Sequence, residues 1–150
     1  MKSLIVFKSV HHGNTEKVAN AIGFVLQAKL LKLSEAKPSN LQGFNLVGFG
    51  SGVYGSNLDK DLFVFVNVLQ NVKGTKAFVF STSRGGEEKN NQKLVELLSQ
   101  KGFSVLGDFA CKGLITWGPF KLFGGASKGH PNQADLENAK KFAEALKNKA

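Results

Sequence analysis

Short apolar runs alternate with amphipathic stretches along this chain, and the alternation predicts most of its elements. Leu4, Ile5, Val6 and Phe7 form an unbroken apolar run of the kind buried in a parallel sheet. Glu16 to about Ala28 follows as a helix, with Val18, Ala19, Ile22 and Leu26 at helical spacing. Lys29 to Leu33 alternates Lys with Leu and predicts a short strand at a sheet edge. Pro38, Ser39 and Asn40 break the pattern. Asn45 to Gly50 then predicts a third strand whose small residues imply close packing, and Gly50 to Asn57 reads as a loop. Asp59 to about Val72 is ambiguous, because its β-branched and Phe content suits a strand while its length and leading Asp suit a helix. The alternation of elements decides for helix. Lys76 to Ser81 is a fourth strand and Thr82 to Lys89 a polar loop. Asn91 to Lys101 is a helix with Leu94, Val95, Leu97 and Leu98 inward and Gly102 as its cap. Ser104 to Leu106 and Gly113 to Thr116 predict a split or kinked fifth strand, and a glycine-rich loop runs on to Asn132. Asp135 to Lys147 closes the chain as a helix facing the core with Leu136, Ala139, Phe142, Ala143 and Leu146.

Five strands alternating with helices imply an α/β fold: a doubly wound, mostly parallel five-stranded sheet with helices on both faces. The length of 150 residues suits a single domain spanning 1–150. Ligands of such sheets bind beyond the carboxyl ends of the strands. The loops expected there are Ser9 to Thr15, Gly50 to Ser56 and Ser81 to Glu87, all rich in Gly, Ser and Thr. In the first, S-V-H-H-G-N-T, Gly13 lets backbone approach a ligand, and Ser9, Asn14 and Thr15 stand beside the unpaired N–H groups of a helix start, which favour an anion. Asn14 or Thr15 could equally be an ordinary helix cap, and this loop by itself leaves both readings open. Three such loops together favour a bound ligand.

Composition narrows the function classes. The formal net charge is +9, but only the middle third is nearly neutral, no run of Lys and Arg occurs, and Arg84 is the only arginine. Nucleic-acid readers rely on Arg and interleaved aromatics, so solvated lysines on helix faces are the better reading. No apolar run is long enough to span a bilayer and no signal peptide is recognisable, so a soluble cytoplasmic protein is expected. Cys111 is alone, which excludes an intrachain disulfide and paired-cysteine metal sites; it reads as a small buried apolar residue. Gly50, Gly52 and Gly55 spell G-x-G-x-x-G, but after the third strand and without the usual acidic residue this is weak evidence for a dinucleotide site. The phosphate-loop signature of nucleotide hydrolases is absent, and no Asp ends strand three as a phosphoacceptor would require.

Taken together the three loops resemble the flavodoxin family over essentially the whole chain, which implies strand order 2-1-3-4-5 and FMN at the switch point. Ser9, Gly13, Asn14, Thr15 and Glu16 match that family's phosphate loop, with His11 and His12 in place of expected Thr residues and one extra loop residue. Either imidazole could donate to phosphate or simply lie in solvent. The run G-S-G-V-Y-G-S resembles the flavin-ring loop, with Gly52, Val53, Tyr54 and Gly55 at matching positions. The resemblance implies that Tyr54 stacks on the flavin and that the peptide at Gly55 flips to stabilise the one-electron semiquinone. The third loop, with Ser81, Thr82, Ser83, Gly85 and Gly86, matches the pyrimidine-edge loop but lacks the family's second stacking aromatic. Trp117 or Phe120 is a candidate to cover that face, and Trp117 in the core is the alternative. The implied role is an FMN-binding electron carrier working with redox partner proteins, as a monomer or weak dimer; an FMN-dependent NAD(P)H:quinone or flavin reductase is the alternative. Most of the family is acidic. A basic member should prefer acidic partners and be a weaker reductant when fully reduced, although Asp59, Asp61, Glu87 and Glu88 near the flavin rim temper that expectation.

Overall fold

A computed structural model describes residues 1–10, 12–116 and 124–150. Five parallel strands stand in the order β2-β1-β3-β5-β6: β1 is Ser3–Lys8, β2 Lys29–Lys32, β3 Leu46–Tyr54, β5 Lys76–Ser83 and β6 Ser104–Lys112. A two-residue strand, β4 (Asn57–Leu58), folds back antiparallel on the end of β3. With that hairpin set aside, the order is the expected doubly wound one, and β2 lies at an edge as its sequence implies. The helices are α1 (Asn14–Leu26), α2 (Lys60–Asn67), α3 (Gln92–Lys101) and α4 (Gln133–Lys149).

Successive strand residues point to opposite faces, so each strand feeds two cores. Leu4, Val6, Val47, Phe49 and Val79 pack with Leu62 and Val66 of α2 and with Leu94 and Leu98 of α3. On the other face Ile5, Phe7, Phe78 and Phe80 meet Ile22 of α1 and Ala139, Ala143 and Leu146 of α4. The small residues of β3 have a specific use there. A methyl at Gly48 or Gly50 would fall inside van der Waals contact of the Phe78 or Phe80 ring respectively, so each glycine supplies the space its neighbouring ring fills. The two rings stack with centroids 6.1 Å apart, and Phe142 of α4 meets Phe78 edge-on at 5.9 Å.

Several boundaries differ from the sequence reading. β3 runs on through Gly50 to Tyr54 instead of giving way to a loop, because the hairpin with β4 supplies backbone partners beyond the parallel sheet. β5 extends through Thr82 and Ser83, which pair with Cys111 and Lys112. The fifth parallel strand is continuous from Ser104 to Lys112 and not split: a register irregularity in its pairing with β5, opposite Ala77 and Phe78, absorbs the extra residue, and the side chain of Asp108 accepts a hydrogen bond from Asn91 Nδ2 at 3.0 Å. Gly113 to Thr116 is not part of it; Ile115 forms only an isolated bridge with Ala126. The ambiguous segment is a helix, but it stops at Asn67, eight residues after Asp59 caps it by accepting from the Asp61 N–H. Gly102 does end α3, with φ at 109° and its N–H bonded to Leu98 and Ser99. Cys111 is buried, and burial first, then the negative charge of Asp135, push its thiol up to about 12.

The glycine–ring contacts make a direct prediction. Gly50→Ala should lower stability by about 3 kcal/mol, read as a fall in the urea midpoint, since the Phe80 ring has no vacant space to enter. Gly107→Ala, whose methyl would rest 3.4 Å from Phe142, should leave the midpoint nearly unchanged.

Candidate functional site

The carboxyl ends of β1, β3 and β5 converge on the first turn of α1. Gly13 holds the N-cap position with φ 65° and ψ 24°, and His12 before it has φ 54°. A left-handed residue followed by the right-handed start of a helix turns neighbouring N–H groups toward a common concavity, an arrangement suited to anions. Among the described residues nothing lies within 4 Å of the place a Cβ on Gly13 would occupy. Glu16 N–H donates to Ser9 Oγ at 3.2 Å and Lys17 N–H to the Gly13 carbonyl at 3.0 Å. Among the described residues the N–H groups of Gly13, Asn14 and Thr15 find no acceptor.

Neither Asn14 nor Thr15 serves as the helix cap. Asn14 is the first helical residue; its Nδ2 donates to the Leu114 carbonyl at 2.9 Å, and its Oδ1 is buried without a partner among the described residues. Thr15 Oγ1 shares a hydrogen bond of 2.9 Å with Thr82 Oγ1. These side chains therefore tie the start of α1 to the end of β5 and to the segment after β6, and the backbone donors they could have capped stay open. His12 Nε2 lies 2.7 Å from Thr116 Oγ1, strapping the loop to that same segment. His11, Trp117 and Phe120 lie outside the described residues.

The other predicted positions fall around a slit. Gly52, Val53 and Tyr54 are strand residues, and Gly55 (φ 58°) and Ser56 (φ 67°) form the hairpin tip, the pattern of a type I′ turn. The Tyr54 ring folds back over Gly52, where an added Cβ would stand 3.1 Å from its hydroxyl. Burial, then the charge of Asp59, raise the Tyr54 phenol above its ordinary value, so it is neutral near neutral pH. Ser81 Oγ is buried without a partner among the described residues, and Ser83 Oγ accepts from the Gly86 N–H at 2.8 Å. Gly86, with φ 64°, lies against the backbone of β6: a Cβ there would sit 2.9 Å from Cys111 C and Lys112 N. Its lack of a side chain serves the turn. Gly85 beside it is exposed, with Glu87 the nearest side chain.

The slit holds about 20 Å³ between Val10, Asn14, Thr15, Gly52, Tyr54, Thr82 and Ile115. Larger hollows flank it, one of about 600 Å³ toward Leu33 and Val64 and one of about 520 Å³ beside Phe63. Chemistry marks the slit in preference to volume, because the open donors and the orphaned Asn14 oxygen meet there. Ile115 and Val10 are site residues that sequence reasoning misses. Ile115 is brought in by its bridge to Ala126, a pairing that no local pattern announces.

Lys8 fixes the neighbouring wall. Its Nζ lies 3.1 Å from Asp59 and 2.8 Å from Asp61, while the Asp59 N–H donates to Ser51 Oγ at 2.9 Å. The hydrogen bond from Lys8, then its charge, hold the Asp61 carboxyl below its ordinary value, and the hydrogen bonds that Lys8 donates to Asp61 and Asp59 raise its own. The lowered Asp61 contributes stability above its unfolded value near 3.8 and loses it as pH falls through the folded one. The raised Lys8 contributes below its unfolded value near 10.5 and loses it as pH rises through the folded one. Among the described residues no cluster of His, Cys, Asp and Glu suits a metal ion, and no helix is long and apolar enough to cross a membrane. Lys8→Met should return the Asp61 carboxyl toward its ordinary value, followed by its NMR titration, and should flatten the pH dependence of stability near both limits.

Comparison with known proteins agrees with this architecture. The model of the flavodoxin domain matches residues 4–118. An uncharacterized protein of Methanocaldococcus jannaschii is 43% identical over 148 residues, covering 97% of this chain and 98% of that one. Among solved structures, a flavodoxin from the domain Archaea superposes with a TM-score of 0.76 at 18% identity, over 99% of this chain and 98% of its own. The oxidised Flavodoxin 2 from Bacillus cereus does so with a TM-score of 0.72 at 20% identity, over the whole of both chains. These two likenesses establish a shared fold, and the domain match, spanning both the donor-rich turn and the Tyr54 hairpin, establishes more: the chain belongs to the flavodoxin family.

Proposed function

We propose that this protein binds FMN at the slit and carries electrons between redox proteins. The observation that carries the reading is the unsatisfied start of α1. Three N–H groups without acceptors among the described residues, at the positive end of a 13-residue helix and over an open glycine, are what a phosphate monoester requires. The buried Asn14 Oδ1 adds to the case, since an orphaned buried acceptor costs about 1–3 kcal/mol unless something donates to it. A ribityl hydroxyl is a donor of the right kind.

In this reading Ser9, Gly13, Asn14 and Thr15 hold the phosphate, and His12 steadies the loop through Thr116. Val53, Tyr54, Gly55, Thr82 and Ile115 flank the ring. Tyr54, which lies over Gly52, and Ile115 line the slit and would cover the faces of a flat ring held there, keeping water from it. FMN itself supplies the reversible uptake of electrons.

Titrating the purified protein with FMN tests this reading. Saturable quenching of flavin fluorescence is expected, with no steady oxidation of NADH or NADPH by the loaded protein. Gly13→Ala should weaken FMN binding about tenfold or more, because a side chain strains the left-handed backbone at that position. Tyr54→Ala should bind with less quenching. Absence of quenching at high FMN would overturn the reading, and sustained nicotinamide turnover would turn it into a reductase.

A further inference from the structure

We propose that the hollow beside Tyr54 is the docking seat of an acidic redox protein. The proposal rests on the reading of the slit as the electron-carrying centre. The hollow holds about 520 Å³ over an apolar floor of Leu58, Phe63 and the flank of Tyr54, the one residue that also lines the slit. Lys8, Lys60 and Lys93 edge it against the single carboxylate of Asp59. An apolar centre with a charged rim is the anatomy of a protein interface.

Charge identifies the occupant. Lys8 is already paired with Asp59 and Asp61. Lys60 and Lys93 are exposed, and among the described residues neither lies within ion-pair distance of a carboxylate. Both stand in the opening turn of a helix, α2 and α3 respectively, where a cation gains nothing from the helix dipole. Apart from the attraction of Lys60 for Asp61, their charge forms no ion pair in the fold, and it adds to the positive potential of the two helix ends over the hollow. With +9 overall, the chain attracts acidic proteins from a distance, and these two lysines give that attraction a place to end.

The test uses an acidic rubredoxin as probe, with binding measured calorimetrically at low ionic strength to the protein as purified and after saturation with FMN. Lys60→Gln combined with Lys93→Glu should lower rubredoxin affinity about tenfold or more, whereas Lys29→Gln with Lys141→Glu, on distant faces, should change it far less. Added salt should abolish the contrast. FMN affinity should be the same in both double variants. Equal losses in the two, no loss in the first, or no rubredoxin binding by the unaltered protein would each overturn the proposal. Capture by phosphatidylserine vesicles through Lys60 and Lys93, with rubredoxin ignored, would overturn it in favour of a membrane surface. Failure of FMN to bind while the rubredoxin contrast persists would overturn only the reading of the slit.

Discussion

Two phenylalanine rings lying in the space of two missing side chains hold the centre of this fold. Phe78 and Phe80 on β5 cover Gly48 and Gly50 on β3, and the fit works in one register only, since a shift by one residue would set a ring against Phe49 or expose it on the wrong face. That register places Ser51 beside Ser81 and Gly52 beside Thr82, where the parallel sheet ends and the slit begins. Phe142 extends the aromatic stack to α4, so the helix layer on that face is seated by the same contact. The position of the slit follows from packing at the sheet centre.

At the mouth of the sheet, polar side chains do a structural task usually left to loops. Asn14 and Thr15 bind across to Leu114 and Thr82, so α1 begins where three strand ends meet and cannot drift from them. The consequence is electrostatic. Side chains that turn inward leave the helix-start donors to whatever enters from solvent, and the two cross-ties hold the start of α1 in place, which reduces the ordering cost of binding there.

Much of this was legible in the residues. The unbroken run Leu4 to Phe7, the alternating edge strand and the helical spacing of Leu136 to Leu146 each have one stable solution in a doubly wound sheet, and each is found in it. The small residues of β3 announced close packing, although only the structure assigns the partners. The hairpin after Gly50 was illegible because glycine and serine serve loops and strand ends equally well. The continuity of β6 was hidden by Asp108, a residue that reads as a break until Asn91 is seen donating to it. The use of Asn14 was hidden for a related reason: its partner is a backbone carbonyl a hundred residues away, and a carbonyl leaves no mark in a sequence.

Ser56, at the tip of the β3–β4 hairpin, has a consequence of its own. A side chain in the left-handed region costs roughly 1–2 kcal/mol, which the neighbouring Gly55 does not incur. Rotating the peptide plane between them converts the turn from type I′ to type II′, carrying Ser56 to negative φ while Gly55 keeps a conformation that glycine adopts freely. The β-carbon of Ser56 therefore narrows the gap between the observed turn and the flipped one: glycine in its place would remove that cost and settle the tip more firmly in type I′.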